Sequence, residues 1–296
     1  MKPQEKVLPI EGSGRVVARQ DGRLGSILVQ EGWLAVADIE RVLERQRNDG
    51  LRFGEAAVRL GLITADDVRG AIAKHYGAPH LVPGKGGVSD ELVVACQPNH
   101  VHAEELRTLR TQLVIRWANA GLGRRMLAIV SPGSGDGRSY LTANLAVAFT
   151  QLGERTLLID ADLRAPRQHR IFDLTDRAGL SAILSGRAAR EAVVPFPEFG
   201  PLSILPAGAC PPNPQELLLR PALSALLEEL AADFDVILFD TPPATAFADA
   251  QSVAFRAGCA VVLARRDQTR RADAAGVMRD LGVAGARILG TVFNAF

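Results

Sequence analysis

The chain of 296 residues is short of net charge, cysteine, tyrosine and long apolar runs, and each shortage excludes something. Lysine and arginine number 34 against 33 acidic residues, so no strong basic field points to nucleic acid. Cys96, Cys210 and Cys259 are scattered, without metal or disulfide spacing, which fits a reducing cytoplasm. His169 and the other histidines show no metal spacing either, and read as surface or packing residues. The first residues, Met1-Lys2-Pro3-Gln4-Glu5-Lys6, lack the apolar core of a secretory leader. No apolar stretch approaches the ~20 residues of a membrane span. The expectation is a cytoplasmic protein, peripheral at the inner membrane through a partner. Apolar residues make up 47% of the chain, enough for a sizeable core in one large or two ordinary domains.

The most informative stretch runs from Ser131 to Ala146, SPGSGDGRSYLTANLA. It follows the apolar run Met126-Leu127-Ala128-Ile129-Val130, which reads as a buried parallel strand, and leads into an Ala/Leu-rich helix. Strand, glycine-rich loop, serine and helix are the context of a phosphate-binding loop. Gly133, Gly135 and Gly137 let the backbone turn and present N–H groups to phosphate oxygens. The helix N-terminus adds partial positive charge, and Ser139 offers a hydroxyl to Mg²⁺. Against the strict G-x-x-x-x-G-K-[ST] pattern, Pro132 stands at the first Gly and Arg138 at the Lys. Arg keeps the charge and can fork onto two phosphate oxygens, but it is not a point charge. An ordinary glycine-rich turn before a core helix is the bland alternative.

Ahead of this loop the chain reads in three parts. Residues 1–20 are a polar arm. Residues 21–80 hold an internal repeat with a 29-residue offset, opened by Arg23-Leu24-Gly25 and again by Arg52-Phe53-Gly54. Val29 matches Val58, Gly32 matches Gly61, Leu34 matches Ile63, Ile39 matches Val68 and Leu43 matches Ile72. Each half reads as a short helix, a glycine turn and an amphipathic helix. Residues 81–100, broken by Pro79, Pro83, Gly84, Gly86, Gly87 and Pro98 at and near their limits, read as a linker. Residues 101–296 form the main domain, opening with a helix from Val101 to Ala118.

Beyond the loop, strands and helices alternate. Thr156 to Ile159 ends in Asp160, and Asp235 to Phe239 ends in Asp240; Leu202–Leu205, Ala260–Leu263 and Ile288–Phe293 complete the set. The fold class is α/β, a parallel sheet flanked by helices, preceded by the small helical repeat domain. Ligands bind at the carboxyl ends of such strands. Asp160, Asp162 and Asp240 lie there, able to hold Mg²⁺ or accept a proton, although an aspartate after a strand can also simply cap the next helix.

VSPGSGDGRSYLTANLAVAF, TLLIDADLRAPRQH and FDVILFDTPPA together resemble the cytoplasmic bacterial tyrosine kinases of polysaccharide export, as their Walker A, A′ and B motifs. The resemblance spans about Val101 to Phe296. It implies ATP and Mg²⁺, with Gly133, Gly135, Asp136, Gly137, Arg138, Ser139 and Tyr140 around the nucleotide. It implies Ser139 and Asp162 near the metal, Asp160 acting on the acceptor or metal, Asp240 one layer out, and Asn294 reading the adenine. Tyr140 itself reads as a packing residue rather than a phosphoacceptor. Glu104-x-x-Arg107-x-x-Arg110 matches the family's oligomerisation motif, which implies a homo-oligomer; on an isolated helix it would be a solvated charged stripe. The family's C-terminal tyrosine cluster is absent: the sequence given stops at Asn294-Ala295-Phe296, and its tyrosines are Tyr76 and Tyr140. Autophosphorylation of a tail is therefore not expected in the usual way. The GRSY loop, the LSAIL and PAGACPPNPQELL segments and the N-terminal repeat resemble the EpsG-type chain-length-determinant subgroup, which implies a membrane chain-length regulator of exopolysaccharide export as partner.

The repeat resembles the N-terminal domain of MshE-type secretion ATPases, which binds cyclic di-GMP. The resemblance implies contacts from Arg23, Leu24, Gly25, Gly32 and Gln46 in one half, and Arg52, Phe53, Gly54 and Gly61 in the other. Arginine forks and stacks on guanine, and glycine admits close backbone approach. A core of packed helices, or a docking module for a protein, remains the alternative. Three functions follow: a regulatory kinase or ATPase, a catalytically weak nucleotide-dependent switch, and, disfavoured by the missing basic field and the lack of a terminal amphipathic membrane helix, a partitioning-type ATPase.

Overall fold

The computed structural model of the chain describes residues 24–30, 32–65, 67–68, 70–71, 88–121, 125–174 and 178–295. It divides into two compact units, Met1–His80 and Leu81–Phe296.

The first unit contains helices α1 (residues 24–30), α2 (Ile39–Asp49), α3 (Phe53–Arg59) and α4 (helical residues 65, 67, 68, 70 and 71). The repeat is written in its hydrogen bonds. Gly32 N donates to Val29 O at 3.0 Å and Trp33 N to Leu28 O at 2.9 Å. In the second half Gly61 N donates to Val58 O at 2.9 Å and Leu62 N to Ala57 O at 3.2 Å. Leu28, Leu34, Val42, Phe53, Ala56, Ala57, Ile63 and Ala71 form the core. Leu43, matched to Ile72 in the sequence, is exposed, and its neighbour Val42 fills the core instead. Arg23 and Ile72 lie outside the described residues.

The second unit begins before the expected boundary at residue 101. Residues 92–96 include helix α5 (Val93–Cys96) and are buried in the main core. One side chain fastens this segment: Asn144 Oδ1 accepts from Val94 N at 3.1 Å, while Nδ2 donates to Glu91 O at 2.8 Å and to Tyr140 O at 3.0 Å. Ser89 N donates to Ile171 O, and Glu91 pairs with Arg167 at 2.6 Å. Residues 92–96 of the expected linker are thus core; the sequence hid this because proline and glycine punctuate both ends of the segment. Helix α6 (Val101–Ala120) follows, with the His100 ring accepting from His102 N at its start.

Seven strands, β1 (Arg125–Val130), β2 (Thr156–Asp160), β3 (Val194–Phe196), β4 (Leu202–Leu205), β5 (Val236–Asp240), β6 (Cys259–Arg265) and β7 (Arg287–Asn294), are ordered β3-β4-β2-β5-β1-β6-β7. All pairs are parallel except β3 with β4. The central strands β2, β5, β1 and β6 are largely apolar because both their faces are covered, whereas the edge strand β7 is half-exposed. Leu127, Ile129, Leu158 and Leu238 face one layer; Met126, Ala128, Val130, Leu157, Ile159, Ile237 and Phe239 face the other. Each of these side chains larger than alanine contributes roughly 1.5–3 kcal/mol on burial. Strand β3 was not foreseen; Pro195, which has no N–H to donate, is tolerated there because β3 is an edge. Helices α7 (Arg138–Thr150), α8 (Gln168–Ile171), α9 (Leu180–Leu184), α10 (Pro214–Leu219), α11 (Pro221–Leu230), α12 (Asp249–Ala257) and α13 (Arg271–Val283) connect the strands.

Candidate functional site

The glycine loop leaves β1 and turns into α7 at the carboxyl edge of the sheet. Gly135 and Gly137 have φ of 76° and 102°, the left-handed region that a side chain would strain. Asp136, between them, is buried; its Oδ2 accepts from Gly133 N at 2.7 Å and its Oδ1 from the Thr269 hydroxyl at 3.2 Å. Arg265 Nη1 donates to Gly135 O at 3.1 Å, and Asn294 Nδ2 to Asp136 O at 2.8 Å. The outer wall of the loop is therefore held from the ends of β6 and β7. The first N–H groups of α7 have no intrahelical partner and point into the loop, as an anion requires.

Arg138 fills the loop. Its Nε donates to Thr241 O at 2.7 Å, and Nη1 to Ser131 Oγ and Gly133 O. Burial draws the guanidinium pKa down, opposed by the charges of Asp240, Asp162 and Asp136. The fork expected on phosphate oxygens is engaged here with two oxygens of the loop and with the carbonyl that follows β5.

The three aspartates converge beside it. Asp160 and Asp240 are register partners on adjacent parallel strands, both fully buried. Asp160 Oδ1 accepts from Asp162 N at 3.2 Å; Oδ2 accepts from Arg167 N at 3.1 Å and Gln168 N at 3.0 Å. Burial, then the charge of Asp240, raises its pKa well above the usual range. Asp160 thus holds the turn and caps α8, the structural use of such an aspartate, rather than presenting a free oxygen to an acceptor. Asp162 Oδ1 accepts from Arg164 N at 3.1 Å and Ala165 N at 2.9 Å, bonds that leave its Oδ2 untouched. Asp240 Oδ2 accepts from Gln168 Nε2 at 2.8 Å. Burial pushes this carboxyl up, opposed by the nearby Ser139 hydroxyl, by the hydrogen bond from Gln168 and by the charge of Arg138.

Asp240 Oδ1 and Gln168 Oε1 are buried without a protein partner. The Asp162 carboxyl, the Ser139 hydroxyl and these two orphaned oxygens are oxygen groups of the kind that a hydrated divalent cation of the Mg²⁺ type meets directly or through its waters. Arg164 braces this corner, with Nε 2.8 Å from Oδ2 of the fully buried Asp249 and its guanidinium 3.9 Å from the Phe247 ring centre. On the other side of the loop a cleft of about 640 Å³ is lined by Leu106, Leu109, Tyr140, Leu263, Val292 and Asn294, among others. Sequence reading missed Gln168, Asp249, Arg265 and Thr269. RQH offered a weak signal for the first; the rest act through long-range bonds that spacing does not reveal.

Residues 123–295 match the family model described as ParA, the NUBPL iron-transfer P-loop NTPase. The tyrosine-protein kinase YwqD of Bacillus subtilis (strain 168) is 35% identical over 203 residues, covering 69% of this chain and 85% of that one. The chain belongs to the bacterial tyrosine kinase family of P-loop ATPases. Longer members of this kinase family match over as little as 26% of their length. The crystal structure of the chimerical protein CapA2B2 superposes with a TM-score of 0.66 and 29% identity, over 76% of this chain and 97% of that one. The septum site-determining protein MinD of Pyrococcus horikoshii OT3, solved with Mg-ADP, gives 0.52 and 28%, over 58% and 71%.

Relative to the kinase oligomerisation motif, the two arginines behave differently from the glutamate. Glu104 is 73% exposed, whereas Arg107, 23% exposed, donates to Pro98 O, Gln151 Oε1 and Glu104. Arg110 Nη1 donates to Ala148 O at 2.8 Å near the end of α7. Both arginines tie α6 to its own subunit. In the repeat, Gly25 and Gly54 are packing glycines. A Cβ on Gly54 would lie 2.7 Å from Val68 Cγ1, and one on Gly25 3.1 Å from Phe53 Cζ. Phe53 is buried, while Arg52, Gly32 and Gly61 are exposed and Gln46 and Leu24 are intermediate. Close packing therefore accounts for the glycine at both starts, though not for the arginine beside each.

Among the described residues no helix is long and apolar enough to cross a membrane, and no cluster of His, Cys, Asp and Glu forms a protein-only metal cage.

Proposed function

We propose that the chain is an ATP- and Mg²⁺-dependent regulatory tyrosine kinase or ATPase subunit that controls exopolysaccharide chain length, polymerisation and export beside a membrane chain-length regulator. The convergence of Ser139, Asp162 and Asp240 next to the glycine loop carries this reading. Ser139 and Asp162 hold the cation, Asp240 reaches it through water, and Asp160 keeps the turn that aims Asp162. Bound Mg²⁺ supplies the charge that neutralises the phosphates. Loop N–H groups orient the phosphates, and the base lies in the cleft beside Tyr140 and Asn294. Self-association runs through α6, with Glu104 as its outward-facing charge.

One observation favours a second reading, a nucleotide-dependent switch. Arg138 lies across the loop, so phosphate must displace it, and a displaced arginine is a conformational signal whether or not transfer follows. We further propose that the repeat unit responds to cyclic di-GMP. Its exposed Arg52 and two matching halves support this, and calorimetric titration of the full chain with cyclic di-GMP tests it.

Calorimetry with Mg²⁺-ATP and turnover of labelled ATP test the main reading. Ser139→Ala should weaken Mg²⁺-ATP binding, and Asp162→Asn should remove most turnover. Arg138→Lys should raise turnover if the kinase reading holds and the arginine is limiting. Unchanged Mg²⁺-ATP affinity in both the Ser139 and Asp162 variants would sink it; tight binding with no labelled product in wild type or Arg138→Lys would leave the switch.

A further inference from the structure

Gln168 is the first residue of α8 and is completely buried. Its amide nitrogen has two hydrogens, and both are placed: Nε2 donates to Ser139 O at 3.1 Å and to Asp240 Oδ2 at 2.8 Å. Its backbone N donates to Asp160 Oδ2. One residue thus joins the phosphate loop, the DAD turn and the end of β5. The orientation of the amide follows from chemistry, because the reverse would press its oxygen against two other oxygens. Oε1 is then left buried without a protein partner, and so is Oδ1 of Asp240, the residue to which it is bonded. The two side chains are bonded to each other through their other atoms, and each still needs a donor for its remaining buried oxygen.

We infer that Gln168 is a positioning residue for the hydrated cation: Gln168 Oε1 and Asp240 Oδ1 receive hydrogens of cation-bound water. Mg²⁺ keeps several of its waters in protein sites, and those waters are strong donors. Residues one layer out from a metal change its affinity roughly 10–100-fold when removed. The inference rests on the nucleotide and magnesium reading proposed above.

The experiment measures affinity of the full chain for a non-hydrolysable ATP analogue with and without Mg²⁺, giving the gain due to the cation. Gln168→Met fills a similar volume without a strong acceptor; Gln168→Glu keeps an acceptor and loses the donors. The Met variant should lose about tenfold of the Mg²⁺ gain, with metal-free affinity within about twofold of wild type, while the Glu variant keeps the gain. With Mn²⁺ in place of Mg²⁺, the electron paramagnetic resonance spectrum should change in the Met variant and not in the Glu variant. A wild-type gain in the Met variant would overturn the inference. So would equal losses with and without metal, or a Glu variant worse than Met, since those mark a purely structural amide. A wild type that binds the analogue without any Mg²⁺ gain would bring down the magnesium reading and this inference with it. Should the Met variant fail to fold by circular dichroism, Gln168→Asn, which withdraws the same oxygen by one methylene, gives the same comparison.

Discussion

Two regions of the molecule set glycine beside arginine, and they do so for different physical reasons. In the phosphate loop, Gly135 and Gly137 are required by their own backbone, which lies at positive φ, and Arg138 is drawn inward onto loop oxygens. In the repeat, Gly54 is helical, and the requirement comes from a neighbour: Val68 occupies the space a side chain would take. Arg52 there is exposed, at the N-cap of α3, with its backbone N bonded to Glu55 Oε2. The same two residue types thus signal a ligand cradle in one place and helix packing in the other. Dihedral angle and the nearest foreign atom tell them apart; spacing does not.

The largest effect that could break this contrast is Gly54→Ala. Placed in an ordinary helix, the change should stabilise by about 1 kcal/mol. Against Val68 it should instead destabilise the repeat unit by roughly 1–3 kcal/mol. Val68→Ala added to it should recover much of the loss, read in calorimetric unfolding. A stabilised single variant would mean that the glycine is kept for a ligand. Next comes the arginine. Arg52→Ala should weaken cyclic di-GMP binding at least tenfold while circular dichroism stays unchanged, because this exposed side chain carries no core. No heat with the wild-type chain would turn the repeat into a docking module for a protein. The smallest effect lies outside both regions, at the amino edge of the sheet. Arg155, hydrogen-bonded through its side chain and backbone N–H, holds Asp235 down at a pKa of about 2. A depressed carboxyl contributes stability above its unfolded pKa and loses it as pH falls towards the folded one. Asp235→Asn should therefore cost less than about 1 kcal/mol at neutral pH, since the pair is solvent-exposed, and the cost should fade between about pH 4 and pH 2.

Much of the carboxyl edge of the sheet was legible in the sequence because parallel strands are continuous apolar runs and their terminal aspartates stand out against them. Asp160, Asp162 and Asp240 were found that way, and Ser139 through the loop. Their division of labour was not legible. Whether an aspartate offers an oxygen or holds a turn depends on which N–H groups face it, and for Asp160 these belong to Arg167 and Gln168, seven and eight residues away. Leu43 misled because a one-residue rotation of α2 puts Val42 inward. Residues 92–96 and β3 were missed because short elements flanked by proline carry too few residues to show a period.

Asn144 has a mechanical meaning. Its single amide clasps the main chain at Glu91 and Val94 on one side and at Tyr140, one residue beyond Ser139, on the other. Glu91 in turn grips Arg167, whose N–H holds Asp160. The strand of chain that arrives from the first unit is therefore riveted to both halves of the carboxyl edge before it enters α6. Residues 91–94 are thereby tied both to the helix that carries Ser139 and to the turn that carries Asp160.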